Sequence, residues 1–220
     1  MTVSDSLKQR RSTRAFLAQP VASSLLKQLF ETAIQAPSNC NIQPWKVYVA
    51  SGATRDSLET KLLAEARANK EAYPDVKWLT RFDGEYKPRQ FESAAALYGS
   101  MGIEREDRDA RLQALLRNWS FFDAPHVAFF TMEKTLGYTG AVDLGIFAQS
   151  LALLMTEAGL GCCFQAALNQ FPGPIHEALN IPPHQAILFG LSFGYPDPDA
   201  AANQTRTSRE SLDTLVEFFD

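Results

Sequence analysis

The chain has 220 residues, 45% hydrophobic and 21% charged, with a formal net charge of −4. That is enough apolar material for one large core, and the wrong charge balance for the cationic face that a nucleic-acid partner requires. No apolar run approaches the roughly 20 residues that cross a bilayer, and MTVSDSLKQRR lacks the apolar core of a signal peptide, so the expected location is cytoplasmic, off the membrane.

In chain order, SDSLKQRR reads as a short helix capped by Ser4, and ASSLLKQLFETAIQA as a helix with Leu25, Leu26, Leu29, Phe30, Ala33 and Ile34 on one stripe, ended by Pro37. KVYVA (46–50) predicts a strand, and ATRDSLETKLLAEARANK an exposed helix. Residues 71–90, rich in proline, aromatics and charge and without periodicity, read as a long excursion. Within it Trp78, Phe82 and Tyr86 suit a pocket lid or packing against a second copy. A charged helical stretch over 104–117 leads to a buried strand at Val127–Met132, behind the break at Pro125. Leu144, Phe147, Ala148, Leu151, Leu154, Met155 and Ala158 then keep helical spacing, and Gly159 stands where a glycine cap belongs. GCCFQ and QAILFGLSFG predict two more strands, with a short helix at PIHEALN between them. The tail SLDTLVEFFD has apolar residues enough to pack on something. Nothing marks a domain boundary, so residues 1–220 form a single expected domain, with about 71–120 as its variable helical part.

The chemistry concentrates in three places. RRSTRAF brings Arg10, Arg11, Ser12 and Arg14 to the end of the first helix, where exposed cations alone are unremarkable. A second group, Arg206 and Arg209 in NQTRTSRE, lies near the other end of the chain. Guanidiniums with a serine hydroxyl suit a phosphate, and because neither G-x-G-x-x-G nor a Walker loop occurs, side chains would have to hold it. APSNCNIQPW (36–45) puts Ser38, Asn39, Asn41 and Gln43 on a constrained loop, either a turn or a reader of a polar heterocycle's edge. Cys40, Cys162 and Cys163 are odd in number and fit neither a disulfide framework nor a zinc spacing, so reduced thiols and no metal are expected, with Cys40 as a small buried thiol. His126, His176 and His184 read as structural or solvated.

Taken together, RRSTRAF, APSNCNIQPW, DAPHVAFF, DLGIFAQSLALLMTEAGLGCCFQAAL and LFGLSFGYPDPDAAANQTRTSRESL resemble, in order, the signatures of the FMN-dependent nitroreductase family. YKPRQFESAAALYGSMGI and RNWSFFDAP are similar to its nitrobenzoate-reductase branch. The resemblance implies an α+β sandwich with a mostly antiparallel central sheet flanked by helices, in an intertwined homodimer with FMN at the interface. It also implies that Arg10, Arg11, Ser12 and Arg14, with Arg206 and Arg209, hold the phosphate, ribityl chain and pyrimidine edge. Pro37, Ser38, Asn39 and Asn41 would reach that flavin from the partner, while Phe164, Gln165, Ala166 and Ala167 would line the isoalloxazine. Many members carry Glu-Gly where this chain has Ala166 and Ala167, so only a backbone role transfers there. Either Arg117 or Asn118 would touch the flavin. The implied activity is electron transfer from NADH or NADPH to a small aromatic acceptor, nitroaromatic or quinone, by alternation at one site, without a dedicated catalytic acid or base. Reduction of an activated alkene, a halogenated aromatic or free flavin, and non-enzymatic flavin binding, are the alternatives.

Overall fold

A computed structural model describes residues 1–219. Four strands, β1 (Lys46–Ser51), β2 (His126–Glu133), β3 (Gly161–Gln165) and β4 (Gln185–Gly194), form one sheet in the order β1-β2-β4-β3, antiparallel throughout. Helices α1 (Val3–Gln9), α2 (Ser23–Ala33), α3 (Gly52–Arg67), α4 (Tyr86–Ser100), α5 (Arg108–Leu116), α6 (Gly137–Glu157), α7 (Pro172–Leu179) and α8 (Leu212–Leu215), with short 3₁₀ turns between elements, make up the rest of the regular structure among the described residues. The expected α+β class and antiparallel sheet are what the chain adopts.

Strand β2 is buried on both faces, and its alternation feeds two cores. Ala128, Phe130 and Met132 join Leu144, Phe147, Leu151 and Met155 of α6 and Leu29 and Ala33 of α2 on one side. Val127 and Phe129 meet Leu58 and Leu62 of α3 and Ile175 of α7 on the other. Strand β4 needs an adjustment to serve the same cores. Phe130 and Thr131 oppose Phe189 and Ile187, so Leu188 is an extra residue, a bulge that reverses the alternation. Ala186 and Leu188 therefore share a core with Leu191 and Phe193, which strict period-two spacing would have turned away.

Because β3 pairs only with Gly190–Gly194, the first half of β4 has an open edge. The excursion covers it. Asp75 Oδ2 accepts from Ile187 N (3.0 Å) and lies 2.7 Å from His176 Nε2, Trp78 Nε1 donates to Leu188 O (2.9 Å), and Val76 O accepts from Asn169 Nδ2 (2.7 Å). A chain without periodicity thus supplies what a strand would. Its second part is helical, since α4 begins at Tyr86, and Phe82 and Tyr86 stay exposed.

Several local expectations change. The first helix is capped by Thr2, whose side chain and that of Asp5 satisfy each other's backbone N–H in a capping box; Ser4 lies inside the helix. Helix α2 stops at Ala33, ahead of Pro37, and α5 begins only at Arg108, behind the Asp107 cap. Gly159, at φ +76°, closes α6 as expected: Leu160 N reaches back to Met155 O (2.8 Å) and Gly159 N to Thr156 O (3.1 Å). Helix α6 starts six residues before the anticipated Asp143 and, against expectation, is long and apolar enough to cross a membrane on length and composition. It is instead the central helix of the larger core, with Asp143 buried in it. The tail's Leu212, Leu215, Phe218 and Phe219 remain exposed and join neither core.

Candidate functional site

The N-terminal arginines reach the site by way of the sheet. After α1 the chain runs beside β3, where Ser12 forms a bridge with Cys162 and Thr13 N donates to Cys162 O (2.9 Å). Gly161 permits this approach: a Cβ there would lie 2.5 Å from Thr13 Oγ1. The C-terminal arginines arrive through Asn203. Buried at 6% exposure, its Oδ1 accepts from Arg14 N (2.8 Å), and its Nδ2 donates to Ala15 O (2.9 Å) and Asp197 O (2.8 Å). One amide therefore fixes the segment after β4 against the segment after α1. Segment 205–210 is tied in turn to α4 by Ser100–Thr205, Ser208–Glu92 and Arg89–Glu210 contacts of 2.7–2.8 Å.

The product is a cleft of about 800 Å³ lined by Lys8, Arg10, Arg11, Arg14, Arg206 and Arg209, with Ser12, Ser93, Thr205 and Thr207 between them and, among the described residues, no carboxylate. None of these six cations enters an ion pair among the described residues. The guanidiniums of Arg206 and Arg209 bond only to nearby backbone oxygens and Thr207 Oγ1. Six unpaired cations in an acidic protein call for an anion, and a dianionic phosphate matches their charge and fork geometry.

Past Arg14, which lines both, a smaller chamber of about 190 Å³ is walled by Leu97, Tyr98, Leu115, Phe122, Cys163 and Phe164, with Arg117 and Asn118. Asn118 is committed to the fold: Nδ2 donates to Leu115 O (2.9 Å), and its O and Oδ1 accept from Gln165 Nε2 at 2.9 and 3.3 Å. Arg117 spends one nitrogen on Asp123 Oδ2 (2.8 Å) and keeps its other donors. Gln165 is buried and structural, its Oε1 accepting from Ser192, whereas Phe164 is exposed to the chamber. Ala166 and Ala167 follow on a short 3₁₀ turn and line neither space.

The chamber's wall includes an unusual turn. Phe121, Phe122 and Asp123 all hold positive φ (57°, 55° and 65°), the left-handed region that costs an L-residue roughly 1–2 kcal/mol. No glycine or asparagine announces it in the sequence.

Residues Pro37, Ser38, Asn39 and Asn41 line neither space in their own chain. Asn39 N donates to both carboxylate oxygens of Asp143 (3.1 Å each), Ser38 Oγ accepts from Gln43 N (2.9 Å), and Cys40, Asn41 and Gln43 hold positive φ. The loop, between α2 and β1, is thereby anchored to α6 through Asp143. Cys40 on it is exposed in this chain, where a small buried thiol was expected, and holds a positive φ of 49°. Cys162 is buried at the back of the cleft and Cys163 in the wall of the chamber. Burial pushes Cys162 up to about 12 and Cys163 up to about 11, against the pull of the Arg10 and Arg14 charges, so neither is a nucleophile at neutral pH. Trp78, Phe82 and Tyr86 do not line the cleft.

Sequence reasoning missed Asn203, Asp143, Lys8 and Arg55, the last described below. Asn203, Asp143 and Arg55 act through contacts far along the chain, and Lys8 is a single exposed cation on the first helix that leaves no pattern.

Comparison with known proteins adds the following. The model of the nitroreductase family matches residues 7–195. Nitroreductase NfnB of Mycolicibacterium smegmatis is 35% identical over 96% of this chain and 90% of its own length, and a 4-nitrobenzoate reductase of Pseudomonas putida is 32% identical over 95% and 92%. Among solved structures, an FMN- and NADPH-dependent nitroreductase from Sphigopyxis sp. strain HMH superposes with a TM-score of 0.96 at 30% identity over both whole chains. The FMN-dependent nitroreductase NfnB of Mycobacterium smegmatis in complex with NADPH does so with 0.94 at 33%, covering 99% of this chain and 98% of that one.

Proposed function

Because the chain belongs to the nitroreductase family, we propose that it is an FMN-dependent oxidoreductase that moves electrons from NADH or NADPH to nitroaromatic or quinone acceptors. One observation carries the reading to this chain's own residues: among the described residues, six unpaired cations and no carboxylate line a single cleft beside β3. The donor set fits a phosphate monoester. When bound, FMN supplies the redox chemistry, accepting a hydride equivalent from the nicotinamide and returning two electrons to the acceptor.

The protein's part is binding and electrostatics. Arg10, Arg11, Ser12, Arg206 and Arg209 hold the phosphate. Arg14 and Arg117 put positive charge beside the chamber, where it stabilises the negative charge that reduction brings to a flavin's pyrimidine edge. Phe164 offers an apolar wall, and Ala166 and Ala167 can offer only backbone N–H groups. No carboxylate or histidine among the described residues lines either space, which suits a reaction that needs no dedicated acid or base from this chain.

The same reading makes the working form a homodimer. Helix α6 exposes Tyr138, Val142 and Ile146, and the tail exposes Leu212, Leu215, Phe218 and Phe219, apolar surface that a second copy would cover. It would also bring the anchored loop with Pro37, Ser38, Asn39 and Asn41 to the other chain's cleft. Three unpaired cysteines suit a reducing cytoplasmic compartment.

The test is the visible spectrum of purified protein during anaerobic addition of NADH, then NADPH, then 4-nitrobenzoate or a quinone. An oxidised-flavin spectrum that bleaches and returns supports the proposal. A colourless protein that takes up no added FMN overturns it.

A further inference from the structure

We infer that Arg55, on α3 and outside both the cleft and the chamber, is a positioning residue that sets Arg117 at the chamber wall through the left-handed turn; the inference rests on the FMN reading above.

The chain of contacts is continuous. Arg55 is 11% exposed, its Nε donating to Ala124 O and its Nη2 to Ser120 O, both at 2.9 Å, so that one rigid fork holds the two ends of the turn. Its guanidinium also lies 5.2 Å from the centre of the Phe121 ring. The turn it spans contains the three consecutive positive-φ residues, a conformation that persists only where surrounding contacts enforce it. That turn in turn grips Arg117 at three points. Phe122 N donates to Arg117 O (2.9 Å), Asp123 Oδ2 accepts from Arg117 Nη2 (2.8 Å), and the Phe122 ring lies 6.0 Å beneath the guanidinium. The backbone and the charged end of Arg117 are thereby both fixed, and Arg117 and Phe122 are the residues presented to the chamber. Glu59, which pairs with Arg55 from one turn along α3, steadies the fork from the opposite side.

Lysine at position 55 keeps the charge but has one nitrogen in place of the planar fork and cannot span two carbonyls in that geometry. Released from its clamp, the turn relaxes toward allowed backbone angles and withdraws Arg117 from the chamber. The bound flavin then loses a nearby cation that favours its reduced, more negative form.

The experiment measures FMN affinity, the midpoint potential of bound FMN and apoprotein melting for wild type, Arg55→Lys, Arg117→Met and the double variant. We expect Arg55→Lys to weaken FMN binding about tenfold and to move the potential to more negative values, as Arg117→Met does, with no further change in the double variant. If the two shifts add, or if Arg55→Lys melts earlier while affinity and potential stay at wild-type values, Arg55 is merely structural and the inference fails. Should Arg55→Lys not fold, Glu59→Gln loosens the same fork from the helix surface. Its smaller shift in the same direction must vanish in the Arg117→Met background, and a shift that persists there overturns the inference. A wild-type chain that takes up no FMN defeats the proposed function first, a result distinct from any of these.

Discussion

Asn203 and Arg14 stand 189 positions apart in sequence, and the Asn203 side-chain oxygen accepts the Arg14 backbone N–H at 2.8 Å. This bond joins the two halves of the cationic cleft. Replacing Asn203 with alanine leaves the part-buried Arg14 N–H and Asp197 carbonyl without their partner, while Ala15 O keeps the Asp197 N–H. The expected cost is about 1–3 kcal/mol of stability, measured by urea unfolding, together with weaker FMN binding. Aspartate would be worse, because a carboxylate would face the two carbonyls that the Nδ2 group now serves. An Asn203→Ala protein with unaltered affinity would mean that the arginines find their places without it.

Arg206 and Arg209 serve the phosphate alone in our reading. The double alanine variant should lose at least about a hundredfold in FMN affinity, from two charge-assisted contacts of roughly 1.5–3 kcal/mol each. Riboflavin, which lacks the phosphate, should bind equally to wild type and variant. Fluorescence titration with both ligands at two ionic strengths checks this, and an equal loss for riboflavin would assign the arginines to some other part of the ligand.

Gly161 is a steric gate for the N-terminal segment. An added Cβ would stand 2.5 Å from Thr13 Oγ1 and 2.9 Å from Thr13 Cβ, so Gly161→Ala must push the strand-edge bridge outward and Arg10 to Arg14 with it. We expect overpacking to cost about 1–3 kcal/mol and FMN affinity to fall with it. Thr13→Gly in the same background should restore both, by vacating the space.

His126 makes the fold sensitive to acid. Its Nε2 accepts from Val21 N (2.9 Å) and its Nδ1 therefore carries the proton, directed at Ser51 Oγ, so the ring is held neutral. Burial lowers its folded pKa below the 6.5 of a free histidine. The unfolded chain therefore binds the proton first. This contribution to stability is intact above pH 6.5 and declines as pH falls from there toward the folded value, by at most about 1.4 kcal/mol per pH unit for one proton. Chemical denaturation between pH 7 and 5 should show this slope in wild type and a shallower one in His126→Gln.

The sheet and the flanking helices were legible because Val127–Met132, QAILFGLSFG and the Leu144–Met155 stripe carry their periodicity openly. The phosphate arginines were legible because guanidiniums clustered at both ends of an acidic chain invite a common explanation. The bulge at Leu188 was not: it changes which residues face the core without changing composition. Nor could the excursion's role be read, since Asp75 and Trp78 act singly on the β4 edge and a single contact leaves no pattern. The left-handed turn at Phe121–Asp123 is hidden for a stronger reason. Local preference argues against it, and the contacts that hold it, the distant Arg55 fork among them, leave no local pattern in the sequence.

A cleft assembled from Arg10 and Arg209 has a timetable. The two residues lie 199 positions apart (209 − 10), and at about 5–20 residues per second the ribosome makes them about 10–40 s apart. Its floor, Cys162, and its clasp, Asn203, are also late products. A nascent chain therefore carries its first cations with nothing to lean on until Cys162, Asn203 and the second arginine group have been made. The full set of cations is offered to FMN only once the segment with Arg206 and Arg209 has docked beside Arg10 to Arg14, so that docking, rather than the folding of the sheet alone, completes the site.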